Sequence, residues 1–182
     1  MVFNIQLGHP KIMNTEQIEL KKVTDAFLKL FSSDEESCFL FWDGIPIRFR
    51  YKEDFYQSFN EILAMCWLLE REREGKTKAV LINQILTINL QLFWKDDKLT
   101  IIAEFEAHEE LYLNYTKKLN KKSKTRISKQ LFLYEWNTLL RQFLEVFKQG
   151  GVIIEEGPEK RKLELLELVE NKIKRYGKLY VR

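Results

Sequence analysis

The sequence predicts a single α+β domain, mainly an antiparallel sheet built from hairpins and covered by amphipathic helices. Three observations predict it. Asp43-Gly44 lies between two strand-like runs, and residues 86–105 alternate apolar and polar side chains with period two. Residues 52–74 and 128–149 instead repeat apolar side chains at spacings of three and four, the mark of a helix with one buried face. Hairpins between helices, in place of isolated strands, favour an antiparallel sheet over the doubly wound parallel class.

A chain of 182 residues suits one domain and can bury a core of fair size. With 45% hydrophobic and 31% charged residues it is too apolar for a disordered chain and too evenly charged for a fibrous one. The net charge of +3 is the remainder of 30 basic against 27 acidic side chains, so it creates no global field for polyanions. Cys38 and Cys66 lack metal-type spacing and read as buried thiols of a reduced compartment. Residues 1–10 have no cationic start followed by an apolar run, so no signal peptide is expected. No apolar stretch approaches the roughly 20 residues of a membrane span. The expected location is cytoplasmic.

Phe3, Ile5 and Leu7 alternate and predict a short strand. Asn14 and Gln17 have the chemistry to open a helix, with Ile18, Val23, Phe27, Leu30 and Phe31 on one face as far as Phe31. Residues 1–35 are therefore expected to be a helical extension packed on the domain, and residues 32–37 an acidic loop. The run 38–51 is a hairpin, because glycine tolerates the positive φ of a two-residue turn at Asp43-Gly44. Pro46 cannot donate to a ladder and marks an edge or a strand start. Lys52 to Glu74 reads as a long helix stopped by Gly75. A hairpin follows: Leu86, Ile88, Leu90, Leu92 and Trp94 face inward, the chain turns at residues 95–98, and Leu99, Ile101, Ala103 and Phe105 return. Residues 111–115 are expected to add a strand. Ser128 caps a helix running to Gln149, and Gly150-Gly151 end it. Gly157-Pro158-Glu159 opens a last helix, with Leu163, Leu166, Val169 and Ile173 as its stripe and Gly177 as its stop.

Known catalytic patterns are met only in fragments. Gly75-Lys76-Thr77 resembles the end of a phosphate loop, but Glu70 stands where the first glycine belongs, and a helix precedes it where a strand is required. His108-Glu109 begins like a zinc-protease helix, yet Tyr112 occupies the second ligand position. Asp96 and Lys98 share a spacing used by some metal-dependent nucleases, but at a hairpin tip they are ordinary turn residues. Glu104 and Glu106 share a strand face and could hold a cation or act as an acid/base pair; a solvated face is the stronger reading. No catalytic set, cofactor or metal is assigned.

Two charged segments are candidate contacts. Lys117, Lys118, Lys121, Lys122, Lys124, Arg126 and Lys129 form a basic run without an acid, suited to salt-sensitive binding of nucleic acid. No aromatic is interleaved there for base stacking, so a flexible, solvated connector is the stronger reading. Glu104, Glu106, Glu109 and Glu110, beside Phe105 and Tyr112, form an acidic patch suited to a basic protein partner. It too can be read as plain outward surface.

Phe41-Trp42-Asp43-Gly44-Ile45-Pro46-Ile47, then Trp94 ahead of residues 95–99, then Glu135-Trp136-Asn137, then Arg175-Tyr176-Gly177-Lys178-Leu179-Tyr180 follow one another in a recurring order. Across about residues 37–180 this resembles bacterial immunity proteins of polymorphic-toxin systems. The resemblance implies stoichiometric inhibition of a cognate toxin, with acids and aromatics at the contact and no turnover. That group spans many folds, so it carries over no site residues. The mild positive charge departs from the acidic character usual in inhibitors of nuclease toxins. The expected function is thus a protein-binding module of the immunity type. A nucleic-acid-associated protein using residues 117–129 is the alternative, followed by a metal-dependent hydrolase at Glu104 and Glu106.

Overall fold

The computed structural model describes residues 3–13, 17–31, 36–154 and 157–168. They form one α+β domain with two antiparallel sheets and the helices that pack on them. The first sheet has the order β1-β3-β4, from Phe3–Gln6, Ser37–Trp42 and Ile45–Arg50. The second has the order β5-β6-β7-β8, from Glu74–Ile82, Leu86–Lys95, Lys98–Ala107 and Lys124–Ser128. A short parallel pair joins β2 (Ile18–Glu19) to β9 (Val152–Ile153). Helices α1 (Asp25–Leu30), α2 (Glu53–Arg71), α3 (Leu113–Asn120) and α4 (Lys129–Gln149) complete the named elements, and residues 158–168 are also helical.

Local chemistry accounts for the elements that follow expectation. Asp43 at φ 48° and Gly44 at φ 82° turn β3 into β4, with Trp42 paired to Ile45 across the turn. Glu53 and Asp54 place negative charge in the first turn of α2, where the helix dipole favours it. The Asp54 carboxylate also accepts the Arg50 backbone N–H at 2.7 Å and pairs with its guanidinium at 3.3 Å. The Ser128 hydroxyl accepts the Leu131 N–H at 3.2 Å and so caps α4. The expected stripes are buried: Phe55, Phe59, Ile62, Cys66 and Leu69 on α2, and Phe132, Trp136, Leu139, Leu140, Phe143 and Phe147 on α4. Cys38 and Cys66 are free, buried thiols whose pKa values burial pushes up.

Four expectations are corrected. The described residues of the segment 1–35 are not a helical extension. β1 pairs with β3 along Phe3↔Trp42 to Gln6↔Phe39, as the alternation of Phe3 and Ile5 predicts, β2 pairs with β9, and among the described residues only Asp25–Leu30 forms an α-helix there. Asn14, the expected helix cap, lies outside the described residues, as do residues 32–35 of the acidic loop and the expected features from Val169 to Tyr180. Gly75 does not stop α2, which ends at Arg71; it lies in β5, opposite Trp94. A Cβ at Gly75 would come within 2.7 Å of the Trp94 ring, so a close approach demands the glycine there. Residues 111–115 form a 3-10 turn and the start of α3, not a strand. The basic run 117–129 is not a connector, since α3, β8 and the first residue of α4 share it.

The core holds two aromatic groups bridged by α4. Phe27, Phe31, Tyr51, Phe55 and Phe59 gather around Phe143. Phe3, Trp42, Phe132 and Trp136 form the other group, and Trp42 meets Phe105 of the second sheet at 5.6 Å. Each sheet thus turns one face to the interior. Among the described residues no helix is long and apolar enough to cross a membrane.

α4 also steadies the edge of β1, through the Glu135 carboxylate, which accepts the Ile5 N–H at 2.8 Å. Burial holds the Glu135 pKa above the ordinary glutamate value, against the lowering effect of that hydrogen bond. The folded state therefore retains a proton that the unfolded chain releases, and this contribution to stability is lost as pH rises through the folded pKa. Glu135→Gln keeps an oxygen acceptor and cannot ionise. The variant is expected to melt above wild type at about pH 7 and to lose that advantage by about pH 3, where both states carry the proton. Calorimetric scans at the two pH values check it.

Candidate docking face on the four-stranded sheet

The functional candidates meet on the outer face of the β5–β8 sheet, and strand alternation puts them there. On β6 and β7, Leu86, Ile88, Leu90, Leu92 and Trp94, with Leu99, Ile101, Ala103 and Phe105, are buried. The residues between them point the other way. The register then aligns the outward side chains in rows across the strands. One row holds Glu74, Lys95, Lys98 and Ser128, the next Lys76, Phe93, Thr100 and Arg126, and the third Lys78, Gln91, Ile102 and Lys124. Two further rows hold Val80, Asn89 and Glu104, then Ile82, Thr87 and Glu106. Neighbours within a row stand about 4.8 Å apart, and successive rows about 6.8 Å.

Three properties follow from that order. The first three rows carry Lys76, Lys78, Lys95, Lys98, Lys124 and Arg126 against one acid, Glu74, whereas the last two carry Glu104 and Glu106, so one face has a mainly basic and an acidic end. Between the ends lie apolar groups in water: Phe93 is 41% exposed, Val80 39% exposed and Ile102 half-buried. A shallow open cleft of about 600 Å³ runs along the basic end, lined by Asp97, Lys98, Leu99, Thr100, Arg126, Ile127 and Ser128.

Few of these charges are engaged within the fold. Lys95 pairs with Glu74 at 3.3 Å, and both are exposed, so the pair contributes little. The Asn89 amide donates to the Glu106 carboxylate at 2.9 Å. At the acidic end, the His108 ring lies 2.9 Å from the Thr87 hydroxyl and 3.2 Å from the Gln84 carbonyl. Those contacts hold the chain as it leaves β7.

The expected acidic set is only partly assembled. Glu104 and Glu106 share the sheet face, while Glu109 and Glu110 are exposed in the segment just beyond β7, and Tyr112 lies in the 3-10 turn. The expected basic set is divided. Lys117 and Lys118 ride on α3, and Lys121 and Lys122 on the turn after it, where Lys122 pairs with Asp43 and its carbonyl accepts the Trp42 indole N–H at 2.9 Å. Only Lys124 and Arg126 reach the open sheet face. There they join Lys76, Lys78, Lys95, Lys98 and Phe93, none of which had been singled out as a contact residue. A signal for Phe93 existed: it is the one aromatic at an outward position of β6, out of phase with Leu92 and Trp94.

For the metal-dependent alternative, Glu104 and Glu106 are a bare pair on an exposed strand. Among the described residues no three His, Cys, Asp or Glu side chains converge as a metal-binding group. A second concavity, of about 200 Å³, is lined by Leu69, Glu70, Asp96, Asp97, Lys129, Gln130 and Leu133. Its polar groups serve the fold: the Asp97 carboxylate accepts the Gln130 N–H, the Lys129 ammonium donates to the Glu72 carbonyl, and Glu70 accepts from Asn137. Compared with known protein families, curated proteins and solved structures, the chain shows no significant match to any.

Proposed function

We propose that the chain is a stoichiometric protein-binding module, an inhibitor of the immunity type, that docks its partner on the open face of the β5–β8 sheet. One observation carries this reading: Phe93, Val80 and Ile102 remain in water on a sheet face bounded by charge of one sign at one end and the other sign at the other. Aromatic and aliphatic anchors at the middle of a patch supply affinity, and two-signed borders steer approach and fix orientation. The resemblance to immunity proteins supports inhibition as the outcome of docking, and the partner's chemistry follows from the face. It presents acids over Lys124 and Arg126, bases over Glu104 and Glu106, and an apolar contact between.

Lysate of the source organism passed over the immobilised chain and over its Lys124→Glu/Arg126→Glu variant tests this. The expected result is one protein retained in equimolar amount by the wild type and lost by the variant, because both substitutions reverse charge at exposed positions without touching the core. Identical retention by the two, or no equimolar partner at all, removes the proposal.

Single-stranded nucleic acid is the other occupant with an observation in its favour. Phe93 lies next to Lys76 and two strands away from Arg126, across Thr100, so the face supplies the stacking aromatic that residues 117–129 lack. A labelled oligothymidylate then binds with an affinity that falls steeply with salt. Absence of binding at low salt excludes it.

A further inference from the structure

We propose that the outer edge of β5 receives an extended segment of the partner protein as an added antiparallel strand, with acids beside Lys76 and Lys78 and an apolar residue beside Val80. This rests on the reading of the sheet as a docking surface for a protein and names how that protein is held. The carrying observation is where the backbone groups at the strand edges go. Asp96 donates its N–H to the Arg73 carbonyl at 2.8 Å, and Asn83 donates to the Leu86 carbonyl at 3.1 Å, so the odd-numbered residues of β5 bond β6. Even-numbered residues therefore turn their N–H and C=O outward. Ile82 does so and is closed by Ser58, whose hydroxyl accepts its N–H at 2.9 Å and donates to its carbonyl at 3.1 Å. Glu74, Lys76, Lys78 and Val80 have no such closure. Apart from a long contact of 3.4 Å from the Thr77 hydroxyl to the Lys78 carbonyl, no group among the described residues bonds their outward backbone.

Other edges of the fold are closed by side chains. On β1 the Glu135 carboxylate takes the Ile5 N–H. On β4 the Pro46 carbonyl accepts the Tyr115 hydroxyl, the Arg48 carbonyl accepts the Asn83 amide at 2.9 Å, and Asp54 takes the Arg50 N–H. Beyond the end of β8, Asn120 bonds both backbone groups of Phe105. β8 turns only Lys124 and Arg126 outward before the Ser128 cap, so among the described residues β5 is the longest open ladder.

An open ladder specifies its occupant. Its donors and acceptors recur about every 6.8 Å, a pattern that an extended backbone matches and a helix does not. Lys76 shares its row with Phe93, Thr100 and Arg126, and Lys78 shares its row with Gln91, Ile102 and Lys124, so neither row holds an acid. Acids on the added strand supply the missing charge, and Val80, exposed on the same side, takes an apolar neighbour. A second copy of β5 does not fit, because a two-fold axis centred anywhere from Lys76 to Lys78 sets lysine against lysine. The added strand also extends the outer face, so the rest of the partner lies over Val80 and Phe93.

Amide hydrogen exchange, read residue by residue, tests the edge with the synthetic peptide acetyl-Thr-Val-Thr-Glu-Thr-Glu-Thr-amide, whose order fits antiparallel pairing from Val80 to Lys76. In the free chain the amides of Lys76, Lys78 and Val80 are expected to exchange fast, and those of Thr77, Ala79 and Leu81, bonded to β6, slowly. Peptide at about millimolar concentration should slow the first three about tenfold or more. The same peptide N-methylated at valine and both glutamates lacks the donors facing β5 and should protect none of them. A peptide with lysine in place of glutamate should protect none either. No slowing with the first peptide, or equal slowing with either of the others, overturns the proposal.

Partner capture separates this from docking itself. Lys78→Pro removes one outward donor and no bond to β6, whereas Lys78→Thr keeps the N–H and removes only the charge. Of the protein retained by the wild type, Lys78→Pro should lose about tenfold more than Lys78→Thr. Equal retention by Lys78→Pro and the wild type overturns strand addition and leaves docking on the face standing. Peptide addition by a chain that captures no protein overturns the docking reading alone.

Discussion

Phe143→Ala is expected to destabilise the domain by about 4 kcal/mol, the largest effect of any single truncation in the core. Phe143 is fully buried on α4, and five rings surround it: Phe27 and Phe55 at 4.9 Å between centroids, Tyr51 at 6.0 Å, Phe31 at 6.3 Å and Phe59 at 6.4 Å. Those rings come from α1 and its C-terminal end, from the turn after β4, and from α2. A void left at their meeting point cannot close by moving one element, so the transfer loss and the cavity loss both count. A domain is typically stable by only about 5–15 kcal/mol, so the variant stands near the edge of unfolding. Urea unfolding measures it, with Leu68→Ala as a control, because Leu68 is 37% exposed on the opposite side of α2 and its loss should cost little. A Phe143→Ala loss under about 1.5 kcal/mol would mean that the cluster is not close-packed.

The depth of that core explains which elements were legible in the sequence. Where a segment buries one face along its whole length, the period of its apolar residues reports its conformation, as in α2, α4, β6 and β7. Residues that serve the edges report less. The first two residues of β5 read as the end of a helix and its stop, although the segment after Thr77 reads as strand, because Glu74, Gly75, Lys76 and Lys78 are exposed and only Ala79 and Leu81 near its end turn inward. An edge strand with lysines on its outer face looks like solvated helix until its partner is known. Gly75 misled for a related reason: glycine after a charged helix suggests a stop, whereas here the Trp94 ring requires the missing Cβ. The N-terminal region was legible in part. The alternation of Phe3, Ile5 and Leu7 predicts the strand that β1 forms, but its place in the sheet depends on pairing with β3, some forty residues away in the chain (Phe3↔Trp42), and on the Glu135 carboxylate on α4. No local pattern encodes contacts of that range, nor the pairing of β2 with β9 where a helix was expected.

The candidate face was legible residue by residue but not as a surface. Alternation along β7 placed Glu104 and Glu106 outward, and charge alone marked Lys124 and Arg126. That these belong to one sheet depends on β8 pairing with β7 through Ile102↔Lys124 and Thr100↔Arg126. The intervening α3 hides that pairing in the sequence, and with it the opposition of a basic and an acidic end. The same pairing separates Lys124 and Arg126 from Lys117, Lys118, Lys121 and Lys122, which had formed one continuous run. Those four stand with α3, whose Asn120 side chain bonds both the N–H and the carbonyl of Phe105 at the edge of β7.

Phe93→Ala is expected to weaken binding of the cognate partner by about 2 kcal/mol, close to thirtyfold, while leaving the fold intact. Phe93 is the largest apolar group on the face, and at 41% exposure it touches too little of the interior to hold the sheet together. Its removal takes the anchor from the middle of the patch and leaves every charge in place, so the loss should appear in the dissociation rate. The same substitution would also weaken stacking of a nucleobase by about 1–3 kcal/mol, so affinity alone does not separate the two occupants. Salt does. A strand that neutralises about four of the basic side chains loses roughly fiftyfold in affinity between about 50 and 200 mM salt, because counterions are released with a slope near −0.7 per phosphate. A protein seated over both ends forms its contacts without that release, and its affinity responds far less. Titration of wild type and Phe93→Ala at both salt concentrations therefore yields four affinities. A thirtyfold gap between the two chains that persists at high salt supports a protein on the face. A gap accompanied by collapse of both affinities in salt assigns the face to nucleic acid, and no gap at either concentration means that Phe93 is not the anchor.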